Sequence, residues 1–559
     1  MTQEPKNGIE GFELNLQELL AIGEEEVNGV RMKVYKNRVK TLRELVENSI
    51  AVFGGQEFII YQDQRITYRE FGRLVRSAGQ VFQEFGVNKG DRVAMILGNA
   101  TAFPIVFFAV ASIGAISVPL NCWWKSEELE YGLNDSGSSV LVMDPKYWSG
   151  VSEIKDNLPD LRHIFVTGEE EIPGTAPFSK LLEEPDALVC DEPIFENEVA
   201  SIFYTSGTTG RPKGAMTTHM NFITNVLNAA SAVDLYSAEA ETTEEEAQQA
   251  RKQLLIVPMF HATGCHSQLV AGLALGVTLV VMSRFRPDEV MEVIEKEKVG
   301  SMTGVPTMYI MMLDSPNFHK YDLSSLSGVS YGGAPAPPDM VKRLHGAFPQ
   351  LALGNGYGLT ETSSISTLLR GDDAVRKPDS VGKPPPVVEI KVVDMAGKEL
   401  PANEVGEILI KGPNIIKGYW NKPEATADTI IDGWLQTGDL GRIDEEGFLY
   451  VVDRKKDMIL RGGENIYCVE IEDVLFDHPK VLEAAVIGVP DSTFGEQVKA
   501  ILYLREGEEA TVEEIQEFCA KHLANFKVPH YVTFIDIPLP RNPQGKVLKS
   551  ELKRKYIGF

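Results

Sequence analysis

Cysteine is scarce in this 559-residue sequence: Cys122, Cys190, Cys265, Cys468 and Cys519 are the only five, odd in number and scattered. None forms a CxxC pair, which argues against a zinc site or a disulfide framework and fits a reducing compartment, the cytoplasm. Long apolar runs are almost missing as well. The exception, Phe103–Leu120, extends about eighteen residues without a charge, near the length a membrane helix needs. Pro104 and Pro119 bracket it, Gly114 interrupts it, and no basic flank follows, so a buried helix turning into a buried strand is expected. The opening residues MTQEPKNGIEGFEL lack the apolar centre of a signal peptide. Positive charge is in deficit: 54 Lys and Arg against 80 Asp and Glu give a net charge of −26. Such a field repels phosphate backbones, so no nucleic-acid partner is expected. Anionic small molecules must instead be met by local cations and backbone amides.

What is present is ample apolar material. At 43% hydrophobic residues the chain can fill large cores, which excludes global disorder. Its length suggests roughly three or four units, fused into two large ones. Phe58–Tyr61 and Arg65–Ile66 read as a hairpin around Asp63-Gln64. Thr67-Tyr68-Arg69-Glu70 then has capping-box spacing and opens a helix running to about Phe85. Strands at Arg92–Leu97, Ser139–Met143, Ser201–Tyr204, Leu254–Val257, Val277–Met282, Gly300–Thr303 and Gly328–Tyr331 alternate with helices, the pattern of parallel sheets covered on both faces. Ser237–Gln249 reads as a solvated acidic stretch. From Ser380 the texture changes to short strands and turns. After Asp453-Arg454-Lys455-Lys456 about a hundred residues of α+β follow. The expected fold is therefore α/β: a large N-terminal domain (1–455) of layered α/β sheets with a β-rich subdomain (about 380–455), then a small α+β C-terminal domain (456–559).

The stretch Ile202 to Gly214 (IFYTSGTTGRPKG) carries chemistry. An apolar strand ends in hydroxyls and glycines followed by a lysine. Glycines let backbone amides approach an anion, hydroxyls donate to phosphate oxygens, and an ammonium neutralises charge, so a polyphosphate is the expected ligand. It is not a Walker A loop, because Pro212 precedes Lys213 and Gly214 follows it.

This loop resembles the signature of the adenylate-forming superfamily, which includes acyl-CoA synthetases, firefly luciferase and peptide-synthetase adenylation domains. Further blocks stand in the family's order: Pro258–His261, Tyr331–Pro335, Asn355–Glu361, Gly433–Asp439, Asp453–Asp457, Gly462–Ile466 and Pro540–Lys546. The resemblance implies ATP and coenzyme A as co-substrates, Mg²⁺ as cofactor, and a small C-terminal domain that swivels about Lys456 between two half-reactions. It implies that Thr205, Ser206, Gly207, Thr208, Thr209 and Lys213 hold the β- and γ-phosphates. Thr360 would contact the α-phosphate and Glu361 would bind the metal. Gly333, Ala334, Pro335, Asn355, Gly356 and Tyr357 would surround the adenine, with Asp439 and Arg454 on the ribose. Lys546 would be the adenylating lysine. Gly462 and Gly463 would line the pantetheine tunnel, with Arg461 near a CoA phosphate.

The acyl pocket is expected at His261, Val305, Gly332, Gly356 and Gly358. Amino-acid-activating relatives place an Asp after the strand where this chain has Met259-Phe260-His261, so an apolar monocarboxylic, fatty-type acid is expected. Trp123-Trp124 is bulkier than the family pattern and either shapes the acyl pocket or only packs, with core packing the favoured expectation. Other readings are a carrier-protein thiol as acceptor, a luciferase-like oxygenase, a non-catalytic nucleotide-binding module, and a serine hydrolase on Gly328-Val329-Ser330-Tyr331-Gly332, a literal G-x-S-x-G. A monomer or homodimer is expected.

Overall fold

The computed structural model describes residues 18–184, 189–205, 211–231, 251–333, 338–348, 351–541 and 547–557. The acidic stretch Ser237–Gln249 lies outside the described residues. A large N-terminal domain is built on two α/β sheets. The first has seven strands in the order Lys213–Thr218, Val199–Thr205, Ile116–Pro119, Arg92–Ile96, Val140–Met143, His163–Val166, Ala176–Pro177. All its neighbours run parallel except Lys213–Thr218, which folds back antiparallel on Val199–Thr205. The second has eight strands, with Ala352–Tyr357, Gly328–Gly332, Ser301–Gly304, Lys252–Leu255 and Thr278–Val281 parallel in that order. One continuous core draws side chains from both sheets.

The long apolar run explains itself here. Ala102–Ser112 is a helix with no polar stripe, and Ile116–Pro119 is a strand buried at every residue. A helix apolar all round must be covered all round. Phe108 meets Phe71 edge-on at 5.8 Å, and Phe103, Phe107 and Phe108 are each wholly buried, contributing roughly 1.5–3 kcal/mol apiece. Among the described residues no helix is long and apolar enough to cross a membrane. The five cysteines are unpaired.

The hairpin forms from Glu57–Tyr61 and Gln64–Thr67, with its turn one residue earlier than expected, at Gln62-Asp63. Half of the capping box is made: Thr67 accepts from the Glu70 amide, and the helix Tyr68–Glu84 follows. The other half is not, because the Glu70 carboxylate turns outward to Arg73. Two elements carried no clear signal. An N-terminal hairpin pairs Ile22–Val27 with Val30–Tyr35, and Thr263–Val270 is a π-helix.

An antiparallel five-stranded sheet comprises Glu389–Val393, Gly406–Lys411, Trp434–Ile443, Ile430–Ile431 and Leu449–Arg454. The small C-terminal domain has its own sheet, centred on Val481–Asp491 and Gly495–Leu504, with Cys468–Phe476 and Val512–His522 packed into a separate apolar cluster.

Candidate active site

Most of the sequence candidates in the N-terminal domain converge on one edge. Parallel strands put their carboxyl ends on a common side, and ligands of open α/β sheets bind outside those ends. Val199–Thr205 ends there and leads toward Lys213. Lys252–Leu255 ends there and leads to His261, Ser301–Gly304 to Val305, Gly328–Gly332 to Gly333, and Ala352–Tyr357 to Thr360. Asn99, which sequence reasoning missed, ties the two sheets at this edge. Its amide nitrogen reaches the carbonyls of Ile256, Val257 and Met282, and its oxygen accepts from the Met259 amide.

Lys213 opens a strand, where a Walker A lysine would open a helix. Just before it, the Tyr131 hydroxyl donates to the Pro212 carbonyl and fixes the end of the loop. Opposite stands the short turn Thr360–Thr362. Its Glu361 carboxylate accepts at Oε1 from the Tyr419 hydroxyl at 2.8 Å, and the Lys213 ammonium lies 4.4 Å from the centre of the same tyrosine ring. Tyr419 was also missed; only the run Gly418-Tyr419-Trp420, in a region read as strands and turns, could have pointed to it. After the turn, Ser363 and Ser364 take φ of 53° and 91°, conformations that cost a non-glycine residue free energy and persist only when neighbours enforce them. The enforcers are two fully buried amides. Asn225 accepts from the Ile365 amide, and Asn414 donates to the carbonyls of Thr362 and Ile365.

Asp439 and Arg454 are cross-strand neighbours and pair at 2.5 Å. Asp439 is only 2% exposed, so this is no solvated surface pair. Its second oxygen accepts from the Tyr357 hydroxyl at 2.7 Å. Burial, then the Asp439 charge, pushes the Tyr357 pKa well up, keeping that hydroxyl a donor. Asn355 is buried and donates to the Ser380 carbonyl.

A sequence profile of the AMP-binding enzymes matches residues 46–420, and one of the AMP-binding enzyme C-terminal domain matches residues 470–546. The chain belongs to the AMP-binding enzyme family. It is 37% identical over 491 residues to a feruloyl-CoA synthase of Amycolatopsis, covering 88% of this chain and 94% of that one. It is 35% identical over 501 residues to a long-chain-fatty-acid–CoA ligase of Mycobacterium tuberculosis, covering 88% and 94%. The fold superposes on an anthranilate CoA ligase in complex with anthranoyl-AMP with a TM-score of 0.83 at 26% identity, covering 92% of this chain and 97% of that one. Within this adenylate-forming superfamily the chain is an AMP-forming acyl-CoA synthetase.

On the expected acyl side of the synthetase, the His261 ring lies tilted against Phe260, 4.6 Å between centres, and burial pushes its pKa down to about 3, so it is neutral at physiological pH. Val305 is 8% exposed and lies 4.0 Å from where a side chain on Gly333 would begin. Gly332 and Gly356 pair across adjacent strands, and a Cβ on Gly332 would come 2.7 Å from the Gly356 carbonyl oxygen. Gly358 packs against the Ser364 carbonyl so closely that no Cβ fits. The tryptophan pair divides. Trp124 packs on Tyr204, but Trp123, expected in a core, is 58% exposed and touches Phe260 edge-on, because its loop leaves the sheet at the open edge.

The hydrolase alternative fails on geometry. Ser330 sits inside the strand Gly328–Gly332, hydrogen-bonded between two parallel neighbours, and the following helix begins only at Pro338. A nucleophile elbow needs a sharp strand-to-helix turn at the serine.

In the C-terminal domain Gly462 and Gly463 form an exposed turn with φ of 59° and 91°, conformations natural to glycine. Arg461 beside them is committed to Gln497 and to the Phe494 ring, 4.3 Å from its centroid. Lys456 is exposed. Three residues before it, the buried Asp453 carboxylate accepts from the Cys468 amide at the start of the helix Cys468–Phe476. Ser206, Gly207, Thr208, Thr209, Ala334, Pro335 and Lys546 lie outside the described residues; Thr205 and Gly333 border them.

Proposed function

We propose that this synthetase activates an apolar, fatty-type monocarboxylic acid as its acyl-adenylate, releases pyrophosphate, and passes the acyl group to the thiol of CoA. The observation that carries this reading is two side-chain clusters, Lys213–Tyr419–Glu361 and Tyr357–Asp439–Arg454, joined through the stretch Tyr357–Glu361. In this reading the first cluster, with Thr360, faces the phosphates and the second faces the nucleoside. The segment leading to a neutral His261, together with Val305 and Gly332, contributes no carboxylate to meet an amino group. Relatives named for ferulate and for long-chain fatty acids support an acid with an apolar body.

In this reading the acid's carboxylate attacks the α-phosphorus of ATP, a displacement that depends on positioning and on charge stabilisation. Lys213 and the loop Thr205–Thr209 hold the β- and γ-phosphates, and Thr360 donates to the α-phosphate. Asp439 accepts from the ribose hydroxyls beside Arg454. Gly333, Ala334, Pro335, Asn355, Gly356 and Tyr357 bound the adenine. His261, Val305, Gly332, Gly356 and Gly358 shape the acyl pocket.

The donor set suits Mg²⁺ brought in with ATP. Among the described residues no cluster of three or more His, Cys, Asp or Glu could bind an ion alone. Magnesium commonly takes one or two carboxylates and fills its shell with water and substrate phosphates. Glu361 would be that carboxylate, and the ion would neutralise phosphate charge. Residues 1–455 and 456–559 are proposed as separate bodies hinged at Lys456. Lys546 acts in adenylation, and Arg461, Gly462 and Gly463 guide CoA in the second step.

ATP–pyrophosphate exchange across a panel of carboxylic acids tests the substrate, with ¹⁸O from the acid appearing in AMP. Lys546→Ala should lose most adenylate formation yet still convert supplied acyl-adenylate to thioester. Equal loss of both steps would refute the division of labour, and exchange confined to amino acids would refute the substrate class.

A further inference from the structure

The segment Ile416–Trp420 is clamped between the two arms of the phosphate site. On one side it runs antiparallel to the strand after the phosphate loop: the Met216 amide donates to Gly418, Lys417 to Met216, and Trp420 to Gly214. On the other, the Ile416 amide donates to the carbonyl of Glu361 itself. Tyr419 is 5% exposed and buried against Ala215 and Ile416, so its ring cannot swing. The Thr426 hydroxyl accepts from its amide and fixes its backbone. From this seat it performs two tasks with two different parts. The ring face lies under the Lys213 ammonium, and the hydroxyl holds Glu361 Oε1. Lys213 forms no ion pair with any described residue, and Glu361 Oε2 accepts no hydrogen bond from one.

We propose that Tyr419 is the positioning residue of the phosphate–metal site: its hydroxyl aims the Glu361 carboxylate at the ion carried by ATP, and its ring holds Lys213 at the distance the phosphates require. A hydroxyl donor on one carboxylate oxygen leaves the other directed outward, the usual arrangement around a metal-ligating group, and losing such a partner typically weakens metal affinity about 10- to 100-fold. A cation seated on a ring face keeps its full charge available to an anion on its far side.

The inference rests on Glu361 being the metal ligand, and substitutions can separate the two ideas. Tyr419→Phe keeps the ring and removes only the hydroxyl. It should raise the Mg²⁺ concentration for half-maximal pyrophosphate exchange about tenfold or more, with little change in KM for ATP once Mg²⁺ saturates. Manganese binding to the ATP complex, read by electron paramagnetic resonance, should weaken in parallel. Tyr419→Leu should add a rise in KM for ATP that excess Mg²⁺ does not repair, with Tyr419→Trp restoring part of it through its ring. If Glu361→Gln shifts the metal dependence and Tyr419→Phe does not, the positioning role is wrong. If Glu361→Gln itself leaves metal dependence unchanged, the assignment of Glu361 falls and takes this inference with it.

Discussion

Gly356 and Gly358 stand two residues apart in Gly356-Tyr357-Gly358-Leu359-Thr360-Glu361, and the fold asks different things of them. A Cβ at Gly356 would meet nothing nearer than 3.7 Å, an ordinary contact with Leu368 and the Thr367 carbonyl. A Cβ at Gly358 would lie 2.6 Å from the Ser364 carbonyl carbon and 3.1 Å from Thr362 Oγ1, and closer still to the Ser364 oxygen. All of these belong to one turn, and Ser364 already holds a φ of 91°. Inserted methyl groups in tight packing cost about 1–3 kcal/mol. Relief here requires moving the backbone that carries Thr360 and Glu361, and a displacement of about 1 Å at a reacting centre costs roughly 100-fold in rate. Gly358→Ala should therefore lower kcat/KM for pyrophosphate exchange about 100-fold while the melting temperature falls by only a few degrees. Gly356→Ala should keep wild-type stability, and any effect should fall on KM for the acid or for ATP, with kcat little changed. Exchange by Gly358→Ala at the wild-type rate would refute the claim that this turn positions the phosphate-side groups.

Asp439→Ala leaves Tyr357 and Arg454 without their shared acceptor. Breaking a buried pair costs about 3–5 kcal/mol, and the partial exposure of Arg454 places this one toward or below the low end. Asp439→Asn should retain most stability yet weaken AMP binding measured by calorimetry; unchanged AMP affinity would remove Asp439 from the nucleotide site. His219, His261 and His266 each have their pKa pushed down to about 3 by burial. The folded chain then stays unprotonated where the unfolded chain, with pKa near 6.5, takes up protons. Stability should fall as pH drops from about 6.5 toward 3, by up to roughly 1.4 kcal/mol per pH unit for each histidine. Urea titrations at pH 7.5 and 5.5 giving equal free energies would contradict this.

The elements that sequence reading located are those governed by neighbours in the chain. The threonine at 67 caps its helix because the Glu70 amide is three residues away, and the run at 103–120 becomes buried helix and strand because it is predominantly apolar and carries no charge. The order of chemical blocks was equally readable, since each block's function is proposed to lie in adjacent residues such as Thr360-Glu361. Sheet order and what faces what were not. Tyr419 meets Glu361 across 58 residues and Tyr357 meets Asp439 across 82. Asn99 joins two sheets whose strands interleave only in space, and Trp123 is left exposed by a loop direction that no periodicity encodes. Local hydrogen bonding and hydrophobic patterning are written in the chain at short range. The aim of a carboxylate or the seat of an ammonium depends on which distant strands become neighbours, and only the folded packing supplies that.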